Sequence, residues 1–158
     1  MPKTMPKYVA LFFGSMFILC ACDTSVVFQK QQAIPGEGWH FRDSIAFEVH
    51  IEDTTSLHKM YVDVRNATDY GYSNLFLFLD IRFPDGTTLR DTLECTLADR
   101  RGNWEGSGVG NLRFNRFLFR DDVWFPEQGT YHFILYQGMR EDVLPGIADV
   151  GLRIERKY

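Results

Sequence analysis

Cysteine is scarce in this 158-residue chain: Cys20 and Cys22 stand near the start and only Cys95 lies downstream. A framework of internal disulfides, the usual support of a small secreted domain, is excluded, so core packing has to hold the fold. Histidine is as thin: His40, His50, His58 and His132 are dispersed, with no H-E-x-x-H or other close ligand pair, so no metal site is expected. Positive charge is in deficit, 17 Lys and Arg against 21 Asp and Glu, and the net charge of −4 argues against a nucleic-acid-binding surface. No apolar run reaches the roughly 20 residues of a membrane-spanning helix. No amphipathic helical stretch appears after residue 22, and there is no internal repeat. What the chain has in quantity is apolar material, 45% hydrophobic and 15% aromatic, enough to fill one core and too much for general disorder.

The N-terminus reads as an address. Lys3 and Lys7 precede twelve uncharged residues, Tyr8 to Leu19, and small residues follow. Basic start, short apolar middle and small-residue end are the features of an export signal. Leu19-Cys20-Ala21-Cys22 resembles the bacterial lipobox, with small Ala21 directly before Cys22 and Leu19 three places ahead of it. Cys20 fits less well, because Leu19 would occupy the position before cleavage. The competing reading is an ordinary secretory signal with incidental cysteines. Under the lipobox reading residues 1–21 are removed, 137 residues remain and Cys22 carries lipid. Two or more acyl chains hold a protein stably on a membrane where a single chain does not.

Three segments are expected: a signal peptide over 1–21, a lipidated tether with a first short strand over 22–38, and a β-sandwich domain over 39–158. Period-two alternation dominates the last. Ile45, Phe47, Val49 and Ile51 share one face against Ala46, Glu48, His50 and Glu52, and Met60, Val62 and Val64 repeat the pattern. Leu75-Phe76-Leu77-Phe78-Leu79 is apolar on both faces, which predicts a central strand with its second face also covered. Phe83-Pro84-Asp85-Gly86-Thr87 predicts a three-residue hairpin loop with Gly86 at positive φ. Its returning strand carries Asp91 on the apolar side, as expected near a sheet edge. Further strands are expected at 112–119, 123–125, 131–136 and 150–154, with one helical turn possible in 137–149. Eight or nine short strands point to a single antiparallel β-sandwich, Ig-like or jelly-roll-like, with a barrel as the alternative.

The search for chemistry returns little. Gly106-Ser107-Gly108 matches only the centre of a nucleophile elbow, and no strand-to-helix turn follows. The Gly-rich run 102–110 has no Lys and leads into a strand rather than a helix, which argues against a phosphate cradle. Cys95 lies between Glu94 and Thr96, poor surroundings for a thiolate, and is expected to be buried filler. Asp53-Thr54-Thr55-Ser56 reads as a turn stabilised by its own side chains rather than a cation loop. No catalytic residue, metal or cofactor is assigned. Trp39, Trp104 and Trp124 lie near loops, where they either cap the open ends of the sandwich or face a sugar or protein partner. The Tyr- and Asn-bearing loop 69–74 is a second plausible recognition surface.

The runs Asp69-Tyr70-Gly71-Tyr72-Ser73-Asn74-Leu75-Phe76-Leu77-Phe78 and Leu144-Pro145-Gly146-Ile147-Ala148-Asp149-Val150-Gly151-Leu152-Arg153-Ile154-Glu155 carry a resemblance. With Asp53-Thr54-Thr55-Ser56-Leu57, Arg65-Asn66, Phe83-Pro84-Asp85-Gly86 and Asp91-Thr92-Leu93, nearly the whole chain resembles the GldH family, gliding-motility lipoproteins of Bacteroidetes. The resemblance implies a non-enzymatic envelope component, held to the membrane by its lipid and working beside other motility or secretion proteins. Tyr70, Tyr72 and Asn74, then Trp104, are the expected partner contacts. A glycan-binding lipoprotein using the Trp-bearing loops is the alternative. Asp23-Thr24-Ser25 lacks the dense acidic run associated with surface export in this group, so an outer-membrane location facing the periplasm is expected.

Overall fold

A computed structural model describes residues 25–157. The signal segment and Cys22 lie outside the described residues. Ten strands follow one another: β1 (Val26–Ala33), β2 (Trp39–His40), β3 (Ile45–Ile51), β4 (Leu57–Ala67), β5 (Asn74–Arg82), β6 (Thr88–Thr96), β7 (Leu112–Trp124), β8 (Gly129–Gln137), β9 (Val143–Leu144) and β10 (Ile147–Arg156). No helix occurs among the described residues.

The strands form two four-stranded antiparallel sheets, β1-β10-β4-β7 and β3-β8-β5-β6, with β2 and β9 as a separate ribbon. The two sheets are not hydrogen-bonded into one, so the barrel alternative falls and the sandwich stands. Alternation explains the layers. β3 buries every second residue from Ile45 to Ile51, and Ile45, Phe47 and Val49 lie opposite Leu135, Phe133 and Tyr131 of β8. From the other sheet Met60, Val62 and Val64 of β4, opposite Ile154, Leu152 and Val150 of β10, close the core. Burying each such side chain contributes about 1.5–3 kcal/mol, which lets the domain dispense with disulfides.

Several local expectations hold. Residues 83–87 close a hairpin in which the Gly86 N–H donates to the Phe83 carbonyl, and Gly86 takes a φ of 89° that a side chain would resist. Asp91 points inward on β6, the sheet edge, opposite Leu79, and its carboxylate meets Arg120 of β7 across the gap between the sheets. Asp53 accepts from the N–H and hydroxyl groups of both Thr55 and Ser56, a self-contained turn whose bonds hold its carboxyl far below the usual carboxylate range. Cys95 is fully buried, and burial pushes its thiol up to about 12.

Others need correction. β1 runs on through polar Gln29-Lys30-Gln31-Gln32, because backbone pairing with β10 rather than side-chain pattern holds it. The strands expected at 112–119 and 123–125 are one strand, β7, kinked where the register shifts and Asp122 takes a φ of 56°. No helical turn occupies 137–149; β9 pairs there with β2. β5 is central, but its second face is uncovered: Phe78 remains 38% exposed.

The sandwich has two unlike poles. Ser25 lies at one, with the tight turns 52–56, 83–87 and 125–128. The long connections 34–44, 68–73, 97–111 and 138–146 gather at the other, which is thus distal to the N-terminus.

Candidate interaction surface

The distal pole contains all four described residues that the sequence nominates, but it treats them differently. Tyr70 is 5% exposed. Its hydroxyl donates to the Asn74 carbonyl at 3.0 Å, and its ring lies under Gly146, whose Cβ position would fall 3.0 Å from the Tyr70 Cα. Burial raises its phenol above the ordinary value. Tyr70 therefore presents no group to a partner; it is the post on which the 68–73 loop stands. Tyr72 is its outward counterpart, exposed and edge-on to the Tyr70 ring at 5.7 Å. Its hydroxyl donates to the Glu141 carboxylate, and that bond raises the phenol pKa. Asn74 is half-buried, and its amide donates to Glu94 at 2.8 Å.

Trp104 also departs from expectation. It is half-buried, paired by an isolated bridge to Ala98 and packed against the core, so it closes the end of the sandwich. Asp99 organises its loop by accepting from the Arg101 and Asn103 N–H groups and the Asn103 side chain. Trp39 is buried, with its Nε1–H donating to the Asp43 carbonyl at 2.9 Å. Only Trp124 exposes most of its ring, and it lies at the opposite pole.

Sequence reasoning missed the neighbouring groove. Phe78 of β5 and Tyr136 of β8 are direct cross-strand partners on the outer face of their sheet. With Phe41, Gly138 and Met139 they line an open groove of about 300 Å³. The 138–142 connection is fastened beside it: the Gln137 amide donates to the Glu141 carbonyl, the Met139 N–H to the Gln137 side chain, and the Gly138 N–H to the Phe76 carbonyl. Arg90 spans the rim, bidentate to Asp80 at 2.5 and 2.7 Å and over the Tyr136 ring at 5.8 Å. A usable signal was present. Phe76 and Phe78 alternate with the buried leucines of β5, and Ile134 and Tyr136 do the same on β8, so two adjacent strands are apolar on their outer face.

The outer face of the other sheet carries ion pairs around Asp63, with Leu118 exposed nearby. Arg116 clamps Asp63 at 2.7 and 2.9 Å, Arg65 holds Asp149, and Arg153 meets Glu155. Among the described residues no group of three His, Cys, Asp or Glu side chains could hold a metal. His58 is 1% exposed, edge-on to Phe125, with no hydrogen-bond partner for Nδ1; burial lowers its pKa.

Comparison with known proteins places this arrangement. Residues 26–154, most of the sandwich, match the family described as GldH lipoprotein. The chain belongs to the GldH lipoprotein family. The gliding motility lipoprotein GldH homolog of Christiangramia forsetii is 35% identical over 155 residues, covering 94% of each chain. The gliding motility lipoprotein GldH of Flavobacterium johnsoniae is 33% identical over 158 residues, covering 96% of this chain and 98% of its own. A solved carbohydrate-binding module specific for non-crystalline cellulose is similar at a TM-score of 0.45 and 10% identity, over 82% of this chain and 73% of that one. Such a likeness says nothing of a ligand here. Family membership makes this chain a membrane-anchored envelope lipoprotein, with names that speak of motility and of no reaction.

Proposed function

We propose that this protein is a non-catalytic adaptor for gliding motility, anchored by lipid at Cys22 in the outer membrane and facing the periplasm. Its distal pole engages another envelope protein of the motility or secretion machinery. The observation that carries the reading is the uncovered aromatic groove of Phe41, Phe78 and Tyr136, which opens on the outer face of its sheet toward the loops distal to the N-terminus, near Tyr72. Exposed aromatics on a rigid frame are the residues that supply most binding energy in protein interfaces. Here the frame is a sheet and a loop held by side-chain hydrogen bonds. The groove is small, so it serves as the anchor point of a wider contact that includes Tyr72, Asn74 and the rim of Trp104.

The test is Phe78→Asp in a gliding host carrying this chain as its sole copy. Phe78 lies outside the core, so protein level and membrane fractionation should stay unchanged while colony spreading is lost. In-cell cross-linking from position 72 should yield a protein adduct in the wild type that disappears in the variant. Unchanged spreading together with an unchanged adduct would remove the groove from the mechanism.

A further inference from the structure

We propose that the N-terminal pole of the sandwich rests on the bilayer itself, with Trp124 and Leu57 seated at the boundary between headgroups and acyl chains. The inference rests on lipidation at Cys22. Only Asp23, Thr24 and Ser25 stand between that residue and Val26. Four chain steps reach at most about 14 Å even when fully extended. Whatever lies beside Ser25 is therefore held close to lipid.

Strand pairing states what lies beside it. The Arg156 N–H donates to the Ser25 carbonyl, the Lys157 N–H donates to the Leu57 carbonyl, and Leu57 is the register partner of Trp124. The ends of β1, β10, β4 and β7 thus form one row, Ser25, Lys157, Leu57 and Trp124. Strands lie roughly 4.8 Å apart, so Trp124 is about 15 Å sideways from the tether at the same end of the domain.

Two of the four members of this row present apolar side chains. Trp124 is 59% exposed and Leu57 43% exposed. The Trp124 side chain is held in place. The indole Nε1–H donates to the Thr54 carbonyl at 2.7 Å, which fixes the ring and leaves its apolar surface outward. A satisfied indole beside an aliphatic residue suits the interfacial zone, where Trp concentrates in membrane proteins.

The charges of this pole decide which lipid it faces. Asp53 is occupied by its own turn and by Arg156 at 3.2 Å, and Asp121 and Asp122 both accept from Lys157. Glu52, Asp85 and Glu127 lie in the turns of this end, with Arg82 at the end of β5, so the pole is acidic on balance. It is suited to zwitterionic headgroups, and anionic lipid should weaken the contact.

The experiment uses the full acylated lipoprotein reconstituted into phosphatidylcholine vesicles, with and without brominated acyl chains. Trp39 and Trp104 are common to wild type and Trp124→Phe, so the difference between their emission spectra reports Trp124 alone. In plain vesicles that difference should lie at the short wavelengths of an apolar setting. It should be lost in brominated vesicles and partly restored when phosphatidylglycerol is added. Protein that floats with the vesicles while its Trp124 signal stays water-like and unquenched would overturn the inference and leave the anchor intact. Protein that fails to float would overturn the anchoring at Cys22, and this inference with it.

Discussion

The Asp63–Arg116 pair offers a direct test of why the outer face of the β1-β10-β4-β7 sheet is closed around Asp63. Asp63 is 1% exposed although it lies on an outer face, because Arg116 lies over it and Gly151 walls it in, with the Gly151 Cβ position 3.3 Å from the Asp63 Cβ. Both carboxylate oxygens accept from Arg116, at 2.7 and 2.9 Å. Replacing Arg116 by Met keeps the bulk and removes the charge, leaving a buried carboxylate without its partner. Breaking a buried pair in this way costs about 3–5 kcal/mol. Domains of this size have roughly 5–15 kcal/mol in all. With a urea dependence of about 2 kcal/mol per molar, the midpoint of unfolding should fall by about 2 M. Removing both charges, as Asp63→Leu with Arg116→Met, should cost much less, because a buried pair is often close to neutral against a well-packed apolar replacement. Urea unfolding of the wild type, the two single variants and the double variant measures all four corners. A loss under about 1 kcal/mol for Arg116→Met would refute the burial argument, since that is the range of exposed pairs. A double variant no more stable than Arg116→Met would refute it equally.

Two further outcomes concern the interior. His58 titrates below its unfolded value near 6.5 because burial penalises the imidazolium. The unfolded chain therefore takes up that proton first, and the contribution is whole above about pH 6.5 and declines as pH falls, by up to about 1.4 kcal/mol per pH unit until the folded imidazole protonates; unfolding followed across pH 5 to 8 should show this slope diminished in His58→Phe. Gly146→Ala places a methyl at a φ of 82° and 3.0 Å from the Tyr70 Cα, so it should lose about 1–3 kcal/mol by thermal unfolding. Gly71→Ala, where nothing lies within 4 Å, should stay within about 0.5 kcal/mol.

Where a strand has one buried face, the sequence was legible, because period-two alternation is a direct image of burial. β3 was readable for that reason, and so was inward-facing Asp91 on an edge strand, while the 83–87 hairpin was readable from its turn residues Pro84, Asp85 and Gly86. β1 was only half legible: Val26-Val27-Phe28 announces it, but Gln29 to Ala33 joins through backbone bonds to β10 that leave no trace in side-chain type. The 68–73 loop shows the limit for sites. Tyr70 and Tyr72 are chemically alike and two residues apart, yet one is buried and the other exposed. Nothing local distinguishes them; the choice depends on Gly146, which arrives from another connection and fits only against the inner ring. Likewise Phe41, Phe78 and the Tyr136–Met139 stretch come from three separate segments, and the sheet order brings Phe78 beside Tyr136.

The two outer faces explain why such a domain would be directional. Both sheets present side chains to solvent at the same spacing, but around Asp63 the strands β4, β7 and β10 pair theirs as Arg–Asp and Arg–Glu beside an exposed Leu118, whereas exposed Phe78 and half-buried Tyr136 of β5 and β8 line an open groove. Paired charges on a surface gain little from a new partner, because each would first have to leave the one it has. An apolar groove has no such prior engagement. Ten residues of β10 at about 3.3 Å each separate the two poles by about 33 Å, far more than three tether residues span. With lipid at Cys22, as proposed above, the N-terminal pole would be the one held near the bilayer, and the groove on β5 and β8 would open on a side face toward the distal loops.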